Sequence, residues 1–344
     1  MSTPRAKLSV STPVVITMPQ LSAAWERDSS IEELTQIAEA ADRLGYHHLT
    51  CSEHVALPAV EHQRRGMSYW DPLATLGYLA ARTQRIRLAT NVLVLAYHHP
   101  LEIAKRYGTL DKVSNGRLIL GVGVGSLKEE FDLLGAPFDD RGPRGDDALR
   151  ALRASLSVPE PAYHGEFYSF EGMVVDPCAV QDHVPIWIGG RTQRSLRRAV
   201  TLADGWAPFN VTLQQAREWL GRFELPAGFE VVLPPPAPLD PINNPDRTRE
   251  LLADTAAHGA TIVSAWFRHD SLQQYLENLH ALAELHPPGG PASGQAFSAS
   301  PHRPTMKAVI CVGTCSITCQ SNINLRASCT GCVGSRTATT STTV

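Results

Sequence analysis

The sequence predicts an α/β fold, a (β/α)8 TIM barrel, and three observations carry that prediction. Eight short apolar runs alternate with eight segments of helical periodicity between Pro13 and Leu285, without a break in composition. Four of the strand candidates end in polar or glycine-rich residues, the position where barrels carry their working groups. The stretch Gly116 to Gly135, GRLILGVGVGSLKEEFDLLG, argues against the rival doubly wound fold. Its glycines Gly121, Gly123 and Gly125 are followed by Ser126 where a dinucleotide fingerprint needs its third glycine, and it is not the first βα unit. Glycine at a strand end lets backbone approach a ligand closely, so this stretch is read as a ligand-facing one.

The elements follow in order. Pro13 to Thr17 (PVVIT) is the first strand candidate. Ser29-Ser30 can cap a helix whose apolar residues Ile31, Leu34, Ile37, Ala38, Ala41 and Leu44 share one face, and Gly45 stops it. Tyr46 to Cys51 is the second strand, and Asp71-Pro72 opens the next helix, through Ala81. Ile86 to Leu95 (IRLATNVLVL) reads as one long strand with polar Thr90-Asn91 in its middle; Pro100 then opens a helix through Val113. Leu118 to Val124 is the fourth strand, and a helix is expected at about Asp146 to Leu156. Tyr163 to Val175 mixes aromatics with turn residues and is expected to be a hairpin insertion. Strands at Pro185–Ile188, Gly205–Phe209, Phe229–Leu233 and Thr261–Phe267 alternate with helices at Thr192–Ala203, Leu213–Phe223, Asp246–His258 and Leu272–Leu285.

Two regions are expected: the barrel over residues 1–285, and a low-complexity, cysteine-containing tail over 286–344. The tail opens with a Pro/Gly/Ser-rich run and has no acidic residue after Glu284. Cys329 and Cys332 have the spacing of a zinc-ligand pair, but Cys311, Cys315 and Cys319 form no second pair, so the tail is read as disordered, with no metal site. A net charge of -3 points to neither nucleic acid nor an acidic membrane as partner. The amino terminus lacks the apolar core of a signal peptide, and Cys51 and Cys178 stand alone in the body, so a cytoplasmic location is expected.

Four strand ends hold the candidate chemistry: Ser52-Glu53-His54, Thr90-Asn91-Val92, Gly121 to Ser126, and Gly189-Gly190-Arg191-Thr192. The last joins two glycines, an arginine and a hydroxyl at a helix start, which is either a phosphate seat or a plain tight turn. Glu53 and His54 are either an acid–base pair or a polar loop whose side chains bond their neighbours. Adjacent His98 and His99 lack a matched carboxylate for metal.

Taken together, GYHHLTCSEHVALP, TQRIRLATNVLVLAYHHPLEIAKRYGTLDKVSNGRLILGVGVGSLKEEFDLLGAPFDDRGPRGDD, GEFYSF and VPIWIGGRTQRSLRRAVTLADGW resemble the luciferase-like monooxygenase superfamily, particularly its coenzyme F420-dependent oxidoreductase branch. The resemblance covers about Pro13 to Leu285. It implies a barrel holding a deazaflavin or flavin across the strand ends, with hydride transfer to or from a small organic substrate. In similar proteins the second strand ends in Asp-His with the histidine beside the reactive ring; here the pair is Glu53-His54, and both are expected to be catalytic. The family's non-proline cis peptide falls on Asn91–Val92. Its cofactor-binding positions fall on Thr90, Asn91, Val92, Gly123, Gly125, Ser126, Gly189, Gly190, Arg191 and Thr192. Related sugar-phosphate dehydrogenases have a glutamate after the glycines, where this chain has Ser126. The implied cofactor is coenzyme F420, with FMN as the alternative. The implied partners are a small-molecule substrate, a second copy in a homodimer and, for FMN, a separate reductase. The further alternative is a barrel that binds flavin without turnover.

Overall fold

Short strands with every second residue turned inward build the barrel. In the computed structural model, which describes residues 5–19, 22–61, 65–66 and 68–287, eight strands form it: β1 (Lys7–Val10), β2 (His48–Cys51), β3 (Arg87–Thr90), β4 (Leu118–Gly123), β5 (Ile186–Gly190), β6 (Gly205–Pro208), β7 (Glu230–Leu233) and β8 (Ile262–Ala265). All seven ladders are parallel, from β2 in sequence order to β8 and on to β1. Between β1 and β2 the closure is thinner: the His47 amide donates to the Leu8 carbonyl at 2.7 Å, and the Thr50 amide to Thr12 Oγ1 at 2.8 Å. The result is a nearly closed (β/α)8 barrel, the architecture the sequence predicts.

Period-two alternation separates two apolar layers. Ala89, Ile119, Trp187, Ala207, Val232 and Ile262 form a buried cluster inside the barrel. Their strand neighbours, among them Leu88, Leu118, Leu120, Ile186, Ile188 and Val231, pack outward on the helices. Those helices are α1 (Ile31–Leu44), α2 (Pro72–Arg82), α3 (Pro100–Val113), α4 (Arg141–Ser155), α5 (Gln193–Leu202), α6 (Leu213–Leu220), α7 (Pro245–Ala257) and α8 (Leu272–Leu285). Their ends obey capping chemistry. Ser30 and Glu33 form a reciprocal box at the start of α1, and Gly45 at φ 79° ends it. Asp71 accepts the Ala74 amide at 2.8 Å ahead of α2.

Two strand assignments need correction. Barrel strand β1 is Lys7–Val10, not Pro13–Thr17. Pro13 has no amide hydrogen for a ladder, and Val14 adopts φ 72°, so the chain turns there. Ile16–Thr17 instead pairs antiparallel with Ser68–Tyr69, a small clip joining the loop after β1 to the loop after β2. The run Ile86 to Leu95 is broken at 91–92: Arg87–Thr90 is β3, and Leu93–Val94 resumes against Val122 and Gly123 of β4. The Asn91–Val92 peptide is cis.

The amino-terminal end of the barrel is plugged by polar groups. The His47 and His48 Nδ1 atoms are 2.9 Å apart, and Trp187 Nε1 donates to Glu230, which also pairs with Lys7. Burial, with the Arg87 and Lys7 cations nearby, pushes His48 down to about 3; burial and His48 itself hold His47 neutral as well.

The expected insertion is a hairpin, Tyr163–His164 against Ser169–Phe170. Asp147 of α4 anchors it, accepting from the Tyr163 hydroxyl and from the Phe167 and Tyr168 amides. No helix among the described residues is long and apolar enough to cross a membrane. The linker-like run after Pro287 and the five cysteines beyond it lie outside the described residues, as do positions 62–64 and 67 of the loop after β2.

Candidate active site

Strands β2, β3, β4 and β5 are consecutive neighbours in a parallel sheet, so their carboxyl ends stand side by side. The four polar strand ends therefore become one crescent at the barrel mouth, where barrels place their chemistry.

His54 follows β2 and lines a cavity of about 260 Å³ together with Val55, Leu57, Pro58, Gly66 and Tyr69. The Tyr69 ring meets the imidazole edge-on, with centroids 4.6 Å apart. His54 Nδ1 lies 2.8 Å from Glu130 Oε2. A carboxylate only accepts, so Nδ1 carries the proton, and Nε2 is left as the base when the ring is neutral.

Glu130 comes from the short helix Lys128–Leu134 that follows β4, and it is 1% exposed. Its Oε1 accepts the Val55 amide at 2.5 Å and the Ala56 amide at 3.2 Å, while Oε2 also accepts the Tyr97 hydroxyl at 2.9 Å. Burial alone would raise its pKa. The bonds from His54, Tyr97 and the loop amide outweigh burial and hold the carboxyl below its ordinary range. Burial and the Glu130 charge push the Tyr97 phenol up.

Glu53 does not pair with His54; that expectation is corrected. Successive residues leaving a strand point to opposite sides, and the Glu53 carboxylate turns inward to Val94 N (2.7 Å) and His98 Nε2 (2.6 Å). Burial disfavours the His98 cation, but the Glu53 bond and charge, with Glu102, raise its pKa.

The glycines also have a structural role beside the ligand-facing one read in the sequence. A Cβ on Gly121 would lie 2.0 Å from the Thr90 carbonyl oxygen, one on Gly123 2.9 Å from Val92 Cγ2, and one on Gly189 2.4 Å from Val92 Cγ1. These glycines make room for the chain itself, chiefly for the Val92 side chain wedged between β4 and β5. Gly125, at φ 78°, is crowded by Phe131 and Val94. Thr90 is buried, and its hydroxyl donates to the Gly121 carbonyl at 2.7 Å, so its donor serves the sheet.

Other candidates reach the surface of the mouth. Asn91, Ser126, Arg191 and Thr192 are exposed. Thr192 caps α5, and Gly190 adopts φ 130°, a conformation a side chain would resist. The first amides of α5 lie outside its hydrogen-bond ladder, beside the Arg191 cation. This turn has the donor set for a phosphate.

Glu130, Tyr97, Tyr69 and His98 were not foreseen as site residues. Glu129-Glu130 reads in the sequence as acidic residues at a helix start, and only the fold brings position 130 back to position 54.

The model of the luciferase-like monooxygenase family matches residues 10–240. The chain belongs to this family of oxidoreductases and monooxygenases. An uncharacterized protein of Mycobacterium tuberculosis is 38% identical over 143 residues, 41% of this chain and 51% of the relative. The 4-hydroxyprotoasukamycin monooxygenase of Streptomyces nodosus subsp. asukaensis is 30% identical over 257 residues, 71% of this chain and 61% of the relative. The chain thus spans about half to three-fifths of the length of these curated relatives. Two solved structures share the fold. The coenzyme F420 dependent tetrahydromethanopterin reductase of Methanopyrus kandleri has a TM-score of 0.62 at 14% identity, over 80% of this chain and 97% of that one. The oxygenating constituent of 3,6-diketocamphane monooxygenase of Pseudomonas putida, in complex with FMN, has a TM-score of 0.59 at 13% identity, over 81% and 97%.

Proposed function

We propose that the protein is a coenzyme F420-dependent oxidoreductase that moves a hydride between the deazaflavin and a small organic substrate. The single observation that carries this reading is the His54–Glu130 dyad at the barrel mouth. A hydride moved to or from a carbon bearing oxygen needs a matching proton at that oxygen, and His54 Nε2 gives or takes it. Glu130 fixes the tautomer and stabilises the imidazolium when it forms. Tyr97 and the Val55 and Ala56 amides hold Glu130 in place, so the base rests on a supported carboxylate.

Gly190, Arg191 and Thr192 would seat the cofactor's phosphate, and Asn91, Val92 and Ser126 would border its ring, whose part is to supply or accept the hydride on one face. Val92, backed by Gly123 and Gly189, gives that side of the mouth a firm apolar wall. Tyr69 and Leu57 would meet the substrate beside His54.

A second reading, an FMN-dependent monooxygenase fed by a separate reductase, is supported by the Streptomyces relative named as a monooxygenase. Equilibrium titration of the purified full chain with F420 and with FMN separates the two. Preference for F420, with substrate-dependent absorbance change and no oxygen uptake, supports hydride transfer. Preference for FMN, with oxygen consumed when reduced FMN is supplied, replaces it. Binding of neither sinks both.

A further inference from the structure

We infer that Glu53 is a positioning residue, with His98 as its counter-cation: it fixes residues 91–94 so that Asn91 and Val92 present a preformed wall to the cofactor. This inference rests on the cofactor site proposed above, and it removes Glu53 from the proton-transfer chemistry.

Residues 52 and 53 grip the neighbouring segment at three points. Ser52 Oγ donates to the Asn91 carbonyl at 2.5 Å. The Glu53 amide donates to the Val92 carbonyl at 3.1 Å. The Val94 amide donates to Glu53 Oε2 at 2.7 Å. Ordinary parallel ladders use only backbone groups, and here the ladder is interrupted at 91–92. A side-chain carboxylate supplies the acceptor that the interrupted strand lacks, three residues beyond the exposed Asn91.

The second carboxylate oxygen explains why an acid stands there. Glu53 is 8% exposed, and a lone buried carboxylate is unfavourable. His98 Nε2 meets Oε1 at 2.6 Å, and His98 Nδ1 lies 3.5 Å from Glu102, which pairs with Arg106 of the same helix. The groups facing this pair are therefore Glu102 and Arg106 of α3, which act on His98, and Tyr107 of α3 and Tyr97 ahead of it, which feel the Glu53 charge. Glu53 does not line the cavity beside His54. Its carboxylate acts through Val94, and thereby on how far Val92 reaches between Gly123 and Gly189.

Glu53→Gln separates positioning from catalysis. The glutamine oxygen still accepts the Val94 amide, but its NH2 group then faces His98 Nε2 and fits only a neutral imidazole. Without the Glu53 bond and charge the pKa of His98 should fall, so the imidazolium that opposes the new NH2 group forms only on the acid side. The expected result is a Kd for the cofactor that the wild type prefers, F420 or FMN, raised roughly tenfold near pH 6 and restored to within about twofold near pH 8.5. His98→Gln should raise Kd at both pH values. Wild type should show no such pH step.

A cofactor-free measurement accompanies this. In hydrogen exchange of the free protein, Glu53→Ala should release the Val94 amide by at least about tenfold while the β4 amides stay protected. An unchanged Val94 rate overturns the clamp. A released Val94 with Kd unaltered at every pH and only kcat lowered overturns the positioning role and returns Glu53 to the chemistry. If the wild type binds neither cofactor, the failure is of the functional reading, and the exchange experiment alone judges the clamp.

Discussion

His54 and Glu130 are 76 positions apart in the chain, yet their Nδ1 and Oε2 atoms are 2.8 Å apart at the barrel mouth. The loop after β2 and the helix after β4 meet through this one carboxylate, which also holds two amides of the loop. Support of the loop and support of the base are thus vested in the same side chain.

His54→Ala should lower kcat by about 10²-fold or more with little change in KM, the range expected for loss of a general acid or base. Glu130→Gln retains the size but offers its amide to Nδ1, selecting the wrong tautomer, and should cost about as much. Steady-state kinetics over pH 5–9, about the range of histidine titration, checks both. A Glu130→Gln enzyme with unaltered kcat would remove the dyad from the mechanism.

Acid should destabilise the fold through two sets of groups. His48 has a folded pKa depressed to about 3, so the unfolded chain binds the proton first. Its contribution is whole above the unfolded value of about 6.5 and is lost as pH falls toward the folded value, a few kcal/mol in all. Glu130, also depressed, contributes above the unfolded carboxyl value of about 4.3 and loses that contribution as pH falls through its folded pKa. Urea unfolding of His48→Gln at a series of pH values should show a shallower fall between about pH 6.5 and 3 than the wild type.

Gly189→Ala should destabilise by about 1–3 kcal/mol, because its Cβ meets Val92 Cγ1. Val92→Ala in the same chain should recover most of that, a coupling measurable by a double-mutant cycle. Gly121→Ala strikes the Thr90 carbonyl oxygen and should gain nothing from Val92→Ala. Equal rescue of both would show that Val92 is not what the glycines accommodate.

Asp147→Ala should free the Tyr163–Phe170 hairpin, because it removes three of the hairpin's hydrogen bonds to α4. Limited proteolysis should then cut near residue 166 while thermal unfolding of the barrel shifts by only a few degrees, in keeping with about 1–2 kcal/mol on a large domain.

The alternation of apolar runs and helical periods made the barrel legible, and Ser30, Gly45 and Asp71-Pro72 marked true helix ends. What resisted reading was set by contacts remote in sequence. Pro13–Thr17 has strand composition, but its Val14 turns and its Ile16–Thr17 pairs with Ser68–Tyr69. The glycines were visible, but their crowding by Thr90 and Val92 comes from the neighbouring strand. Glu53 and His54 were visible as a pair, yet their partners, His98 and Glu130, lie in the segments that follow β3 and β4. Residue type identified the chemistry, and only the fold identified the partners.

The Ile16–Thr17 and Ser68–Tyr69 clip has an evolutionary consequence. It ties the loop after β1 to the loop that carries Tyr69, and the Trp70 amide adds a bond to the Val15 carbonyl at 3.0 Å. A graft of the second loop from a relative, made to change the substrate, would arrive with edges matched to a different first loop. The two loops are therefore one exchangeable unit, and only a graft of both together keeps the clip intact.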